Sequence, residues 1–442
     1  MNFDSLDSPK IRRFQRKLVL LSAGGTFLDG FDLTIIAVAM PFIKQQWDVG
    51  AGATSLIVSS AIIGSFIGAI WLGKLTDRFG RKAMYVVDLL AFVIFALLSA
   101  FSQSIWQLVL FRFLLGVGIG ADYPISATLV AEFSPRNKRG RDGTFLAAMW
   151  FVGAVAAYLV GLACLGMGEH AWRYMLATGA VFALIVFVFR MTLPESPRWL
   201  QSKGRHQEAA AVMEKITGQA FQPTVSQTPS LRLVELFAPP MRRRTLFVLG
   251  FWFCYATAYY GIAMYTPTII APLSHGSREM TIIGSGAVAI LGMMGALIGM
   301  NLVERWGRRP LIITSFTGLS AALCVLAINT NPTFTSLVVL FSIAVLFANA
   351  GGGILNFVYP TELFPTTIRA GATGFATSVS RIGSILGVLV FPNLVALWGA
   401  GVALWFFFAI AFIGMLICIT LAPETKNKSL EQLEDIHGAQ AV

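Results

Sequence analysis

The stretch DRFGRK at residues 77–82 returns later in the chain as ERWGRR at residues 304–309. Two more motifs return at nearly the same offset: EFSP at 132–135 as ELFP at 362–365, and PES at 194–196 as PET at 423–425. Chance can produce one such match but hardly three in register. The sequence therefore predicts two homologous halves, residues 1–192 and 243–442.

Between these motifs the chain is strongly apolar. Hydrophobic residues make up 56% of it and charged residues 12%, whereas soluble proteins carry about 25% charged residues. So few charges cannot coat water-soluble domains of this length, which excludes a water-soluble enzyme. The apolar blocks are about 20 residues long, enough to cross about 30 Å of hydrocarbon as a helix. The fold class is therefore an all-α membrane protein with twelve transmembrane helices. Its spans lie near residues 18–40, 55–74, 83–102, 106–131, 143–166, 171–192, 243–270, 280–303, 310–329, 334–357, 370–395 and 400–422.

The net charge of +11 is a topology signal and does not indicate a nucleic-acid partner. Nearly all Lys and Arg lie in alternate connections beginning with the N-terminus, and the opposite connections hold little beyond Lys44 and Arg278. By the positive-inside rule, both termini lie in the cytoplasm. We expect the chain in the lipid bilayer of a bacterial inner membrane or its eukaryotic counterpart.

A polar segment, residues 193–242, joins the two halves. Residues 206–218 have helical composition and predict an amphipathic helix on the cytoplasmic face. Residues 221–230 contain two prolines and predict an irregular linker.

Several motifs resemble those of the major facilitator superfamily, and the resemblance covers essentially the whole chain. The segment GKLTDRFGRK at 73–82 is similar to the superfamily motif that follows span 2. Arg112, Gly116 and Gly120 match its Arg-x-x-x-Gly pattern, and residues 194–200 resemble the sugar-porter-like branch. The resemblance implies a secondary transporter that alternates between inward-open and outward-open states.

Charged residues of the repeated motifs are candidates for a cytoplasmic gate. Carboxylates and guanidiniums at helix ends can pair across the seam between the halves and hold it shut. The alternative is that these are solvated loop charges that set the topology. The candidate gate residues are Gly73, Asp77, Arg78, Gly80, Arg81, Glu132, Arg139, Glu195, Glu304, Arg305, Arg308, Glu362, Arg369 and Glu424.

Four ionisable residues, Asp29, Asp32, Asp122 and Arg381, fall near mid-membrane. An ionisable group there costs about 2.5–3.5 kcal/mol and needs a reason. Asp29 and Asp32 are three residues apart and share a helix face. Carboxylates held close together in a low dielectric suit proton coupling, although an ion pair or a packing role is the alternative. The segment DGFD at 29–32 is similar to that of aromatic-acid:proton symporters, and GADYP at 120–124 resembles that of phosphate:proton symporters.

Arg381 is the most informative of these residues. Its partner is either a midplane Asp or an anionic substrate, and a resemblance to animal organic-anion transporters favours the anion. Arg112 lies about 15 Å from Asp122 along its helix. The family pattern suggests that Arg112 couples through helix 1, while snorkelling to the outer interface fits equally well. We expect Arg190 to snorkel at a span end and Asp88 to belong to the inner gate.

Aromatic and amide residues are candidates for the walls of a substrate site. Tyr255 and Tyr259 share one face of span 7, and Trp150 is a weaker candidate on span 5. Asn349 and Asn356 flank three consecutive glycines at 351–353, which predict a helix break or hinge lining the cavity. Close helix packing is the alternative explanation for the glycines.

The sequence contains no nucleotide-binding loop and no metal-ligand or catalytic spacing, so we expect no cofactor, metal or enzyme activity. We predict a monomeric, proton-coupled symporter of a small organic anion. Asp29, Asp32, Asp122 and Arg112 would carry the proton coupling, and Arg381 would clamp the anion. A sugar or polyol symporter is the second hypothesis, a drug-efflux antiporter the third, and a membrane solute sensor the fourth.

Overall fold

The computed structural model of the chain describes residues 11–133, 139–217, 236–329, 331–364 and 369–426. In this part the structure is helical, with short 3-10 turns near 165–170 and 271–273 and a π-helical turn near 349–353. The helices are α1 Arg12–Trp47, α2 Ala51–Phe79, α3 Arg81–Ala100, α4 Ile105–Phe133, α5 Arg139–Ala163, α6 Ala171–Arg190, α7 Pro197–Ser202, α8 His206–Thr217, α9 Pro239–Ala263, α10 Thr266–Ile270, α11 Arg278–Trp306, α12 Arg308–Ile328, α13 Phe334–Ala348, α14 Ile354–Leu363, α15 Arg369–Trp398 and α16 Ala400–Leu421.

Eleven helical segments in the described part are long and apolar enough to cross a membrane. Helix α4 adds a shorter apolar stretch, Ile105–Gly120, and accounts for the fourth of the predicted spans. Large apolar side chains such as Val181 and Val188 are exposed on the outside, while Asp29, Asp122 and other charged groups are buried inside. This distribution is the one expected of a chain whose outer surface faces lipid.

Neighbouring helices approach one another closely where glycines remove the side chain. On α2 and α4, a Cβ added at Gly64 would overlap the backbone oxygen of Phe113, and one added at Gly116 would overlap that of Ala61. Small residues allow such contact between membrane helices, whose association relies on van der Waals packing. Gly116, the glycine of the Arg-x-x-x-Gly pattern in α4, therefore has a packing role.

The two halves contact each other along several helices, since α2 packs on α15 and α5 packs on α11 and α14. We call the end that carries Arg81 and Arg308 the basic end, and the other the opposite end. At the opposite end Ser55 Oγ donates to Leu389 O at 3.5 Å, and Arg278 of α11 donates to the Gln45 side chain of α1. These contacts join the outer parts of α1 and α2 to the second half.

The predicted break in span 10 is present. Helices α13 and α14 are joined by a π-helical turn, Asn349–Gly353, in which every residue is buried. The Ser315 hydroxyl donates to Phe347 O at 2.6 Å and accepts from Gly352 N at 3.1 Å, so a side chain of α12 bonds backbone groups that the turn leaves open.

The linker contains two helices, and α8 covers most of the run predicted as amphipathic. Its Met213 packs into a cluster with Ile11, Leu18 and Met84 of the first half, and its Ala209 packs against α7. The linker helices are thus docked on the first half at the basic end.

Replacing Gly116 tests the packing of α2 on α4. Gly116→Ala should lower the free energy of unfolding by about 1–3 kcal/mol because the new methyl meets backbone that cannot turn away. Thermal unfolding in detergent measures the change. Gly143→Ala is the matched control, since Gly143 faces open space and alanine should raise helix stability by up to about 1 kcal/mol. Equal effects of the two substitutions would contradict this packing role.

Candidate functional site

A central cavity lies between the halves. The first half contributes α1 and α5 to its wall, and the second half contributes α9, the π-helical turn, α14 and α15. The lining residues are Thr26, Asp29, Ala147, Trp150, Phe151, Trp252, Tyr255, Ala256, Tyr259, Tyr260, Gly353, Asn356, Phe357, Thr377, Ser380, Arg381 and Ser384.

Asp29 and Arg381 face this cavity from opposite halves. They are 3% and 9% exposed and interact electrostatically. Among the described residues neither forms a salt bridge. The alternative that Arg381 pairs directly with an Asp is therefore not observed, and a longer-range attraction to Asp29 takes its place. The Tyr260 hydroxyl, on the same cavity wall, also interacts electrostatically with Arg381. The cavity therefore holds one cation and one carboxylate that are not paired directly.

Aromatic rings form one wall of the cavity. Tyr255 and Tyr259 stack with their ring centroids 5.4 Å apart, as their spacing along α9 predicts. Trp150 meets Tyr259 and Tyr260 edge-on at 5.8 and 5.9 Å. Tyr260 was not predicted as a site residue, because it lies about 100° around the helix from Tyr259. It reaches the same cavity because α15 passes that side of α9.

The two asparagines of span 10 occupy different places. Asn356 lines the cavity, and its Oδ1 is buried without a described hydrogen-bond partner. Asn349 is fully buried behind the aromatic wall, where its Oδ1 accepts from the Tyr255 hydroxyl at 3.0 Å. Asn349 therefore does not line the cavity in this structure and instead orients Tyr255, and its contact with substrate stays a prediction.

A buried ion pair joins α1 and α4. Arg112 donates to the Asp32 carboxylate at 3.1 and 3.4 Å and to the Asp32 backbone oxygen at 3.3 Å. Arg112 is 0% exposed, so the interpretation that it snorkels to the outer interface is wrong. Its long side chain crosses to the neighbouring helix because a counter-charge lies there.

A second buried ion pair corrects another expectation. Arg190 is 3% exposed and does not snorkel: it pairs with Asp122, donates to Leu21 O at 2.9 Å and lies over the Tyr85 ring. Side chains on a helix lean towards its N-terminus, so an Arg at the last turn of α6 points into the membrane. A Cβ added at Gly25 would overlap both partners, so glycine at this position lets α1 pack over the pair.

Asp88 also differs from its prediction. It was expected at the inner gate, yet it is 3% exposed inside the first half, within electrostatic reach of Asp122, Arg190 and Asp29. Span position gives depth along the helix but not the direction in which the side chain points. The first half thus encloses four carboxylates and two guanidiniums among the described residues.

The repeated motifs at the basic end share one geometry. Glu195 accepts from the backbone N–H groups of Arg81 and Lys82 at 3.0 and 3.1 Å, at the start of α3. Glu424 accepts in the same way from Arg308 N and from the following amide at the start of α12. A carboxylate at a helix N-terminus satisfies open N–H groups and the helix dipole. The glycines before these helices, Gly80 and Gly307, have φ of 102° and 100° and leave room for the carboxylates.

The ion pairs described at the basic end run within a half. Arg308 donates to Glu304 at 3.0 Å and to Glu362 at 2.8 Å, joining α11, α12 and α14 of the second half. Arg308 thus finds its acids on helices of its own half, while pairing across the seam stays a prediction. Arg78 is exposed over the Phe79 ring, and the Arg305 backbone oxygen accepts from Lys426. The surroundings of Gly73 and the side chains of Asp77, Glu132, Arg139 and Arg369 lie outside the described part.

Comparison with known proteins identifies relatives along the whole chain. The sequence model of the family described as "Sugar (and other) transporter" matches residues 18–437. The inner membrane metabolite transport protein YgcS of Escherichia coli is 31% identical, over 98% of this chain and 97% of the relative.

Several relatives have names that state a substrate. The arabinose-proton symporter of Bacillus subtilis is 30% identical, over 95% of this chain and 94% of its own. The niacin transporter NiaP of Acinetobacter baylyi is 27% identical, over 97% and 98%. Among solved structures, the partially occluded inward-open xylose transporter XylE from E. coli superposes with a TM-score of 0.80 at 22% identity, covering 96% of this chain and 100% of that chain.

The Glu424 capping interaction makes stability depend on pH. Partial burial alone would raise the pKa of Glu424, but backbone N–H donors of Lys426, Arg308 and Arg309 outweigh it and hold the pKa below its usual range. A lowered pKa means that the stabilisation is present above the unfolded-state value and is lost as pH falls through the folded-state value. Glu424→Gln should lower the free energy of unfolding by about 1 kcal/mol at neutral pH. The melting temperature of this variant should also fall less steeply at acidic pH than that of the wild type. Glu169→Gln, at an exposed site, is the control, and indistinguishable profiles for both variants would refute the assignment.

The Asp122–Arg190 pair predicts strong coupling between two substitutions. Arg190→Met leaves a buried carboxylate uncompensated and should cost about 3–5 kcal/mol. Adding Asp122→Asn should recover a large part of that loss. A double-mutant cycle on thermal unfolding in detergent measures this coupling. Additive losses would show that the two groups do not compensate each other.

Proposed function

Because the chain belongs to the sugar (and other) transporter family, and is therefore a multi-pass membrane transporter of the major facilitator superfamily, we propose that it carries a small organic anion together with protons. The basic end would face the cytoplasm, with both chain termini, and the membrane would be a bacterial inner membrane. One chain encloses the whole central cavity, so we propose a monomer as the working unit.

Arg381 carries this proposal. It is a buried cation on the cavity wall, and no described acid forms a salt bridge with it. A buried charge without a counter-ion is costly, and a guanidinium binds a carboxylate through two parallel hydrogen bonds. A substrate carboxylate would supply the missing counter-charge, with the Tyr260 hydroxyl lining the cavity beside the guanidinium.

The aromatic wall favours a flat substrate. The stacked Tyr255 and Tyr259 rings and the Trp150 ring offer large apolar faces beside Arg381. Offset and edge-on ring contacts each contribute about 0.5–1.5 kcal/mol beyond area burial. A small aromatic monocarboxylic acid fits both features, and the named substrate of the relative NiaP, niacin, is such an acid.

Asp29 would link anion binding to proton binding. Asp32 and Asp122 already have guanidinium partners, whereas Asp29 depends on the longer-range attraction of Arg381. When a substrate carboxylate occupies Arg381, a second negative charge beside it becomes unfavourable and Asp29 takes up a proton. Release of the anion restores the attraction and favours release of the proton.

At the basic end, the capping glutamates and the Arg308 network would keep the helix ends of each half together as the halves rock about the cavity. Paired acids and bases within one half resist separation of their own helices. The gate would then open along the seam, where the described ion pairs do not cross.

A sugar symporter is the second candidate. The hydroxyls of Thr377, Ser380 and Ser384 and the Asn356 amide line the cavity and suit a polyol. The relative named as an arabinose-proton symporter points the same way. The sugar-symporter candidate does not explain why Arg381, which forms no salt bridge with a described residue, lies beside these groups.

Arg381 variants test the proposal. In reconstituted vesicles, nicotinate or benzoate should elicit proton uptake while hexoses and polyols added in parallel should not. Arg381→Ala should reduce acid uptake about 10- to 100-fold, from the loss of charge-assisted bonds of about 1.5–3 kcal/mol. Arg381→Lys should retain part of it, because the charge stays while the two-pronged geometry is lost.

Arg242→Ala, at an exposed arginine outside the cavity, is the matched control and should transport normally. Full acid uptake by Arg381→Ala would remove the anion-clamp role. A proton signal with sugars alone would replace the anion proposal with the sugar symporter.

A further inference from the structure

The interior of the first half holds more negative than positive charge. Asp29, Asp32, Asp88 and Asp122 are each at most 3% exposed, as are Arg112 and Arg190. Each guanidinium pairs with one carboxylate, Arg112 with Asp32 and Arg190 with Asp122. Asp29 and Asp88 are thus left without a salt bridge in the described part of the chain.

Asp88, unlike Asp29, does not line the cavity. Its Oδ1 is buried without a described hydrogen-bond partner. It packs against Gly118 of α4, where an added Cβ would lie 3.2 Å from Oδ1. An ionised oxygen in such a place has neither water nor a donor to stabilise it.

The groups around Asp88 do not compensate an ionised carboxylate. Asp122 on α4 and Asp29 on α1 repel it, and Arg190 on α6 is already paired with Asp122. On its own helix the nearest titratable group is Tyr85, one turn away. Helix α2 also packs on α3, and its one charged side chain in the described set, Arg78, is exposed.

A hydroxyl chain connects Asp88's helix with the rest of the cluster. Ser126 donates to the Asp122 carboxylate at 3.4 Å, and its oxygen lies 2.9 Å from the Tyr85 hydroxyl on α3. Hydroxyl groups can both donate and accept, so such a chain can pass a proton. Asp88 is therefore a protonatable group one helical turn from Tyr85, a member of this chain, and the anion mechanism above does not use it.

We propose that Asp88 is a second proton-carrying site, so that two protons accompany each substrate molecule, one on Asp29 and one on Asp88. Each proton binds a carboxylate oxygen on the loading side, converts it to the acid, and leaves on the other side with the substrate. A monoanion with two protons moves one net positive charge. Uptake is then driven by an inside-negative potential as well as by a pH gradient. This inference rests on the proposed anion function.

Voltage dependence tests the second proton. Proteoliposomes containing the full chain are given radiolabelled nicotinate or benzoate, with an inside-negative potassium diffusion potential and no pH gradient. Wild-type uptake should rise several-fold with the potential. Asp88→Asn should lose this acceleration while a pH gradient still drives uptake, since one proton with a monoanion is electroneutral. Asp88→Glu, which keeps the carboxyl, should stay voltage-sensitive. Voltage-accelerated uptake by Asp88→Asn, or electroneutral uptake by the wild type, would overturn the proposal.

An infrared measurement separates this inference from the transport proposal. Without substrate, the wild type should show the carbonyl stretching band of a protonated carboxyl, and Asp88→Asn should lose that band while unfolding at a similar temperature. An unchanged spectrum in a folded Asp88→Asn variant refutes the second proton site whatever the substrate. If neither acid is taken up by the wild type, the proposed function fails and the spectrum still decides on Asp88. If the variant does not fold, the wild-type voltage response decides.

Discussion

A charge buried among membrane helices needs a counter-charge, and that requirement organises the first half of this molecule. Arg112 ties α4 to α1 through Asp32, and Arg190 ties α6 to α4 through Asp122. Three helices that lipid would not hold together by hydrophobic force are thereby joined by charge-assisted bonds. The same requirement makes Arg381 informative, because its counter-charge is not supplied by a direct bond from the chain.

The ion pairs in turn depend on glycines. Gly25 lets α1 pass over the Asp122–Arg190 pair, and a Cβ added at Gly30 would overlap the backbone oxygen of Trp150. Gly30 lies between Asp29 and Asp32, so the DGFD segment combines two acids with the small residue that seats α1 on α5. Close packing then places Trp150 in the cavity beside Asp29. The DGFD segment thus supplies both two buried acids and the glycine that lets α1 approach α5 closely.

The sequence predicts features that depend on periodicity and depth, and fails for those that depend on rotation. Span positions, the repeat, the break at the three glycines, and the cavity positions of Asp29, Tyr255 and Arg381 all follow from spacing along a helix. Arg190 does not snorkel as its span-end position predicts, because a long side chain that leans towards the helix N-terminus carries its charge further into the membrane than its Cα. Asp88 and Asn349 were misplaced because depth does not tell which neighbour a side chain faces.

Because the two halves share repeated motifs, the places where they differ are informative about function. At the basic end the halves match, since Glu195 and Glu424 cap equivalent helices in the same way. In the interior they diverge: the first half holds the carboxylates and their arginines, and the second holds the stacked tyrosines of the cavity wall and Arg381. Two groups couple only where a change at one alters the energy of the other, and Asp29 and Arg381 meet that condition across the cavity. Under the proposed function, a proton on Asp29 and an anion on Arg381 would be bound in the same space, so that a movement of one half against the other would carry both.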